Sequence, residues 1–136
     1  MTTGERLVLE PRHLAFARSL ADLLDAELAL ASAPRPVIAV AGESGSGKSI
    51  TASALAEVLR ERGRRVVVLH QDDYFVRPPR ANHEHRRVDL GSVGPQEVNL
   101  ALLASHVADF RAARDATGPR VDYASDAFHT RELPFA

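Results

Sequence analysis

The residues best suited to chemistry form one run, Gly42-Glu43-Ser44-Gly45-Ser46-Gly47-Lys48-Ser49. They fit the P-loop pattern G-x-x-x-x-G-K-[ST] at every fixed position. Glycines let the backbone take positive φ and approach a ligand closely. The N–H groups of such a loop point inward as an anion nest, and the N-terminus of the following helix adds its positive end. In this arrangement Lys48 reaches the β- and γ-phosphates as a point charge, and the Ser49 hydroxyl ligates Mg²⁺. The segment Gly42 to Ile50 is therefore the expected site for a nucleoside triphosphate. A second group, Gln71-Asp72-Asp73-Tyr74-Phe75, carries paired carboxylates. An Asp there accepts the proton of an attacking hydroxyl, or holds Mg²⁺ directly or through water. For Asp73 a local cap or Asx-turn is the competing reading. His83-x-His85 lacks a third ligand and reads as solvated loop histidines rather than a metal pair. Arg86 and Arg87 fit a phosphate contact and an exposed surface equally well.

These groups need particular elements to hold them. Val37-Ile38-Ala39-Val40-Ala41 is a short apolar run and reads as a buried strand before the loop. Ile50 to Arg62 carries Leu55, Val58 and Leu59 at helical spacing, with Gly63 as its C-cap. Val66-Val67-Val68-Leu69-His70 is a second buried strand. Strand, helix, strand implies a right-handed parallel crossover and an α/β layered fold. Ligands in such sheets sit beyond the carboxyl ends of the strands, so Asp72 and the P-loop are expected at one sheet edge.

Around this unit, residues 1–10 read as a lead-in, and His13 to Ala31 as an amphipathic helix. That helix packs on the domain; a dimer contact is the second reading. Ala33-Pro34-Arg35-Pro36 ends it. The expected division is residues 1–34 as lead-in and helix, and residues 35–136 as the nucleotide-binding domain. Val76 to Leu90 is polar and reads as a functional or mobile loop. Gly94-Pro95-Gln96-Glu97 opens a helix that runs to about Arg114 and is stopped by Thr117-Gly118-Pro119. Arg120 to Ala136 shows weak periodicity and no long element.

A chain of 136 residues is long enough for one domain with a real core. A net charge of −1 offers no footprint for nucleic acid or an anionic membrane. The absence of cysteine excludes disulfides and thiolate metal sites. No apolar run approaches a membrane span, and the first residues lack a signal-peptide layout, so a cytoplasmic location is the default expectation.

Taken together, Gly42 to Ser49 and His70-Gln71-Asp72-Asp73-Tyr74-Phe75 resemble the uridine kinase group of P-loop kinases, relatives of phosphoribulokinase, pantothenate kinase and nicotinamide riboside kinase. Pro78-Pro79-Arg80-Ala81-Asn82-His83-Glu84 and Val93-Gly94-Pro95-Gln96-Glu97-Val98-Asn99-Leu100 are similar to bacterial uridine kinase-like proteins. The resemblance covers about residues 35–136. It implies a three-layer P-loop fold with a parallel sheet, and transfer of the γ-phosphoryl of ATP, with Mg²⁺, to a hydroxyl of a small acceptor such as a nucleoside. It places Asp72 as base or Mg²⁺-network residue beside Lys48, and Tyr74 and Phe75 as the aromatic wall of the acceptor site. It sets Asp89 against ribose hydroxyls, and Tyr123, His129 and Arg131 near the base-binding segment, with Tyr123 one residue off the usual spacing.

The family's next elements are a strand ending in a Walker-B-like acid and an arginine-bearing lid, and neither follows Leu133-Pro134-Phe135-Ala136. That strand lies between the two expected here. The sheet is therefore expected to be incomplete: the chain is an N-terminal portion of a kinase, or its strands rearrange, or a second copy fills the slot. The first is favoured. A nucleotide-binding module without catalysis is the alternative function. A GTPase switch is weaker, because no Asn-Lys-x-Asp signature or switch glutamine is present.

Overall fold

The computed structural model describes residues 7–30, 34–43 and 45–136. The expected lead-in at residues 1–6, the helix end at Ala31 and Ala33, and Ser44 of the P-loop lie outside them. The chain forms two compact units, Leu7–Val68 and Leu69–Ala136. The boundary expected at 34/35 therefore falls inside the first unit, which groups the N-terminal helix with the P-loop helix.

In the first unit α1 spans Pro11–Leu30 and α2 spans Lys48–Glu61. Pro11 supplies the first helical residue, where a missing N–H costs nothing. Ala17, Ala21 and Ala54 are completely buried between the helices, beside Leu55, Val58 and Leu59, with Leu14, Leu20, Leu24 and Val66 packed around them. Small side chains at the crossing let the two helices approach closely. Ala21→Leu therefore overpacks this seam, and should lower unfolding free energy by about 1–3 kcal/mol in urea titrations. Asp25 accepts from Arg62 at 2.8 Å and Arg64 at 3.0 Å, joining α1 to the turn after α2. These guanidinium hydrogen bonds, Arg62 foremost, hold the Asp25 carboxyl below its ordinary range.

The parallel sheet is not formed among the described residues. Residues 36–43 and 64–70 form no regular secondary structure and belong to no ladder. Val37, Ile38 and Val40 are 46, 37 and 36% exposed, so the first run is not the buried strand its composition suggests. Apolarity supplies only the faces of a strand; its edges need a hydrogen-bonding partner. In the fold implied by resemblance these two runs are next-but-one neighbours, two strand spacings of about 4.8 Å apart, and cannot pair with each other.

The second unit holds α3 (Pro79–Val88), α4 (Leu100–Arg111) and an antiparallel hairpin of β1 (Ala116–Asp122) and β2 (Ala127–Leu133). The register runs from Ala116 opposite Leu133 to Asp122 opposite Ala127. Short 3₁₀ turns cover Gln71–Tyr74, Leu90–Ser92 and Pro95–Glu97. The core is Tyr74, Val98, Val121, Leu133 and Phe135, with Phe110 edge-on to Phe135 at 5.7 Å.

Two readings change here. The polar stretch expected as a loop is α3, and the tail expected to lack an element is the hairpin. Gly118, expected to stop a helix, lies inside β1, where a Cβ would come within 2.8 Å of Leu133 Cδ1 and 3.3 Å of His106 Cε1. Glycine in a strand often marks such a close approach. The expected helix from Pro95 to Arg114 is split, because the first turn is 3₁₀ and Asn99 caps a separate α4 by accepting from Leu102 N at 3.1 Å. Among the described residues no helix is long and apolar enough to cross a membrane.

Candidate functional site

The P-loop leads directly into α2. Gly45 and Gly47 have φ of +79° and +88°, a left-handed conformation that a residue with a Cβ resists. At Gly42 a Cβ would lie 2.4 Å from Ser46 Oγ and would force that hydroxyl to turn aside. Ser46 N donates to Glu43 O at 3.1 Å, and Lys48 Nζ donates to Glu43 O at 3.3 Å, folding the lysine back over the loop. Lys48, Ser49 and Ile50 form the first turn of α2, whose leading N–H groups lack intrahelical partners. A glycine cradle, a lysine above it and a helix N-terminus beneath suit a polyphosphate. The Ser49 hydroxyl is the group in this unit that would ligate Mg²⁺, which supplies charge neutralisation at phosphate oxygens when bound. Among the described residues no three His, Asp or Glu side chains converge as a metal site.

In the second unit, a cavity of about 280 Å³ opens at the Asp72 turn. Its aromatic wall is Phe75, Tyr123 and Phe128. Its polar wall is Asp72, Arg77, Asn82, His83 and Arg86, with Pro79 and Val121 completing it. Small-molecule sites have this mixture of apolar walls and a few polar groups. Pro79, Asn82, His83 and Arg86 stand at the i, i+3, i+4, i+7 positions of α3, so one helix face lines the cavity. That helix is polar, and its stability comes from its ends and partners. Pro79 sits at its first position, Asp126 Oδ1 accepts from Arg80 N at 2.8 Å, and basic residues occupy the last turn.

Glu97 anchors this face from below. It is 3% exposed and accepts a bidentate pair from Arg86, with Nη2 to Oε1 at 2.9 Å, and the Gly94 N–H at 3.0 Å. The Arg86 guanidinium, with help from Gly94 and the Asn82 amide, holds the Glu97 carboxyl down at about 2 against burial, which pushes the other way. In the unfolded chain its ordinary value is 4.5, so its contribution to stability is full above that pH and fades as pH falls from 4.5 towards 2. Thermal unfolding of the parent should lose several degrees across this window, and Glu97→Gln should show a flatter profile from a lower starting midpoint.

The other residues named from the sequence are placed as follows. Asp72 is exposed at the cavity. Asp73 is buried, and its Oδ1 accepts from Val121 N at 3.0 Å, tying the turn to β1. Tyr74 is buried, its hydroxyl 2.8 Å from His106 Nδ1, and does not line the cavity; burial raises its pKa. Tyr123 lines the cavity, and burial, then the charges of Asp72 and Asp73, push its hydroxyl up. Asp89 Oδ1 accepts from Gly91 N at 2.9 Å, away from the cavity. His129 lies on β2 with Nε2 3.2 Å from Asp122 Oδ2. Arg131 is half-buried on the same strand. The structure thus brings together Asp72, Phe75 and Tyr123, and adds Arg77, Asn82, His83, Arg86 and Phe128, which sequence reasoning did not assign to an acceptor site. The helical spacing of 79, 82, 83 and 86 was the available signal.

The model of one protein family, Zeta toxin, matches residues 21–92, a little over half of the chain. The chain belongs to the Zeta toxin family. The matched segment takes in the P-loop, Asp72 to Phe75 and α3. Membership of the Zeta toxin family makes the chain part of the P-loop kinase-like superfamily, and carries nucleotide binding with it. The grouping seen from the sequence therefore holds at the level of the superfamily, while the match does not single out uridine kinases. No curated protein and no solved structure matches the chain significantly.

Proposed function

We propose that the chain is an ATP-dependent phosphotransferase, or the nucleotide-binding part of one, that moves the γ-phosphoryl group to a hydroxyl of a small acceptor. The observation that carries this reading is the cradle of Gly42, Gly45 and Gly47 opening onto Lys48 and Ser49 at the start of α2. The Asp72 cavity supports it with a carboxylate beside aromatic and hydrogen-bonding walls, as a hydroxyl-bearing acceptor requires. A nucleoside is the first acceptor to test, with uridine as its representative, because a planar base suits Phe75 and Tyr123. The partner in this reading is a small molecule, not a nucleic acid or a membrane. Lys48 binds phosphate, Asp72 takes the acceptor proton, and Mg²⁺ held by Ser49 neutralises phosphate charge.

The experiment is ADP release from Mg-ATP by the full chain, with and without uridine, cytidine and other nucleosides. Release that depends on one acceptor supports transfer. Release at the same rate without any acceptor contradicts it. A second reading, nucleotide binding without transfer, is favoured by the runs 36–43 and 64–70, neither of which belongs to a sheet. It predicts ATP binding with no ADP release under any acceptor.

A further inference from the structure

Asn82 carries a feature that phosphate binding and proton transfer leave unused. It is 8% exposed, it lines the Asp72 cavity, and its Oδ1 is buried without a hydrogen-bond partner. Buried acceptors are almost always paired, so an orphan in a cavity wall calls for a reason. Reversing the amide would not remove it. The Asn82 amide is one of the groups that hold the Glu97 carboxyl down, beside Arg86 and the Gly94 N–H. Only the NH₂ end of an amide stabilises a carboxylate, so the nitrogen is the end towards Glu97 and the oxygen is turned away.

We infer that Asn82 Oδ1 is a specificity-determining acceptor, which receives one hydroxyl or ring N–H of a neutral small molecule bound in the cavity. This rests on the cavity being the acceptor site proposed above. The oxygen is closed to water in the empty protein, so the donor meets it as the cavity wall readjusts around the ligand. The desolvation of Oδ1 is then already complete before binding. A ligand that supplies the donor gains nearly the whole hydrogen bond, and one that lacks it leaves the orphan in place. Glu97, itself held by Arg86, is a positioning residue for this contact: it faces the NH₂ end of the amide and need not touch the ligand.

The test is calorimetric titration of the full chain, without ATP, with uridine, 2′-, 3′- and 5′-deoxyuridine and 3-methyluridine, which remove each uridine donor in turn. The expected result is one analogue that binds the parent about 10- to 100-fold more weakly than uridine does. On Asn82→Leu, uridine and that analogue should bind equally, whereas a merely structural asparagine would weaken all five alike. If Asn82→Leu does not fold, Asn82→Ala takes its place with the same expectation. Equal binding of all five by the parent, discrimination that survives in the variant, or no binding of uridine overturns the inference. Phosphoryl transfer is read separately as ADP release, so its failure is distinguishable from failure of this contact.

Discussion

Replacing Asp72 with Asn should lower acceptor-dependent ADP release by about 10²- to 10⁴-fold, the range a positioned general base contributes. The amide keeps the shape of the side chain and loses its basicity. Asp72 is exposed at the cavity rather than locked in a structural bond, so the substitution should leave the fold intact. Its neighbour is the internal control. Asp73 is 7% exposed and holds Val121 N, so Asp73→Asn should act on stability. ATP affinity should stay nearly unchanged in Asp72→Asn. An equal loss of affinity and turnover would instead place Asp72 among the groups that hold the nucleotide and its Mg²⁺.

Lys48→Ala should act in the opposite manner, weakening Mg-ATP binding about 10- to 100-fold, as expected for loss of a hydrogen bond to a charged group. In the structure its ammonium rests on Glu43 O across the loop, and among the described residues no carboxylate pairs with it, so little is lost from the folded state when it is removed. Calorimetric titration with Mg-ATP reads the effect directly. Unaltered affinity would mean that the glycine cradle does not hold phosphate.

The sequence is most legible where local rules decide. The P-loop, α2, the Gly63 turn and the amphipathic α1 follow from glycine chemistry and helical spacing. The two apolar runs mislead because strand pairing is non-local: Val37 to Ala41 and Val66 to His70 have strand-like composition but join no sheet among the described residues. α3 was hidden for a different reason. Its periodicity is carried by Pro79, Asn82, His83 and Arg86, polar residues that face a cavity and Glu97 rather than an apolar core. The hairpin was hidden because β1 contains Gly118 and Pro119, both poor strand formers; Gly118 sits in close approach to Leu133 and His106. At the site, Asp72, Phe75 and Tyr123 could be named from the chain, whereas Asn82 becomes conspicuous only when its unpaired oxygen is located. Tyr74 shows the converse: an aromatic next to the candidate base is turned inward to His106.

The central claim is that residues 42–50 form a working nucleotide site. Thermal unfolding of the 136-residue chain, with and without Mg-ATP and beside Lys48→Ala, tests it most directly. Ligand at about 100 times its Kd stabilises a folded site by about 2.7 kcal/mol, which is several degrees for a chain of this size. The account predicts a cooperative transition that Mg-ATP raises by several degrees in the parent and by about half as much or less in the variant at the same concentration. A transition indifferent to Mg-ATP in both would contradict it.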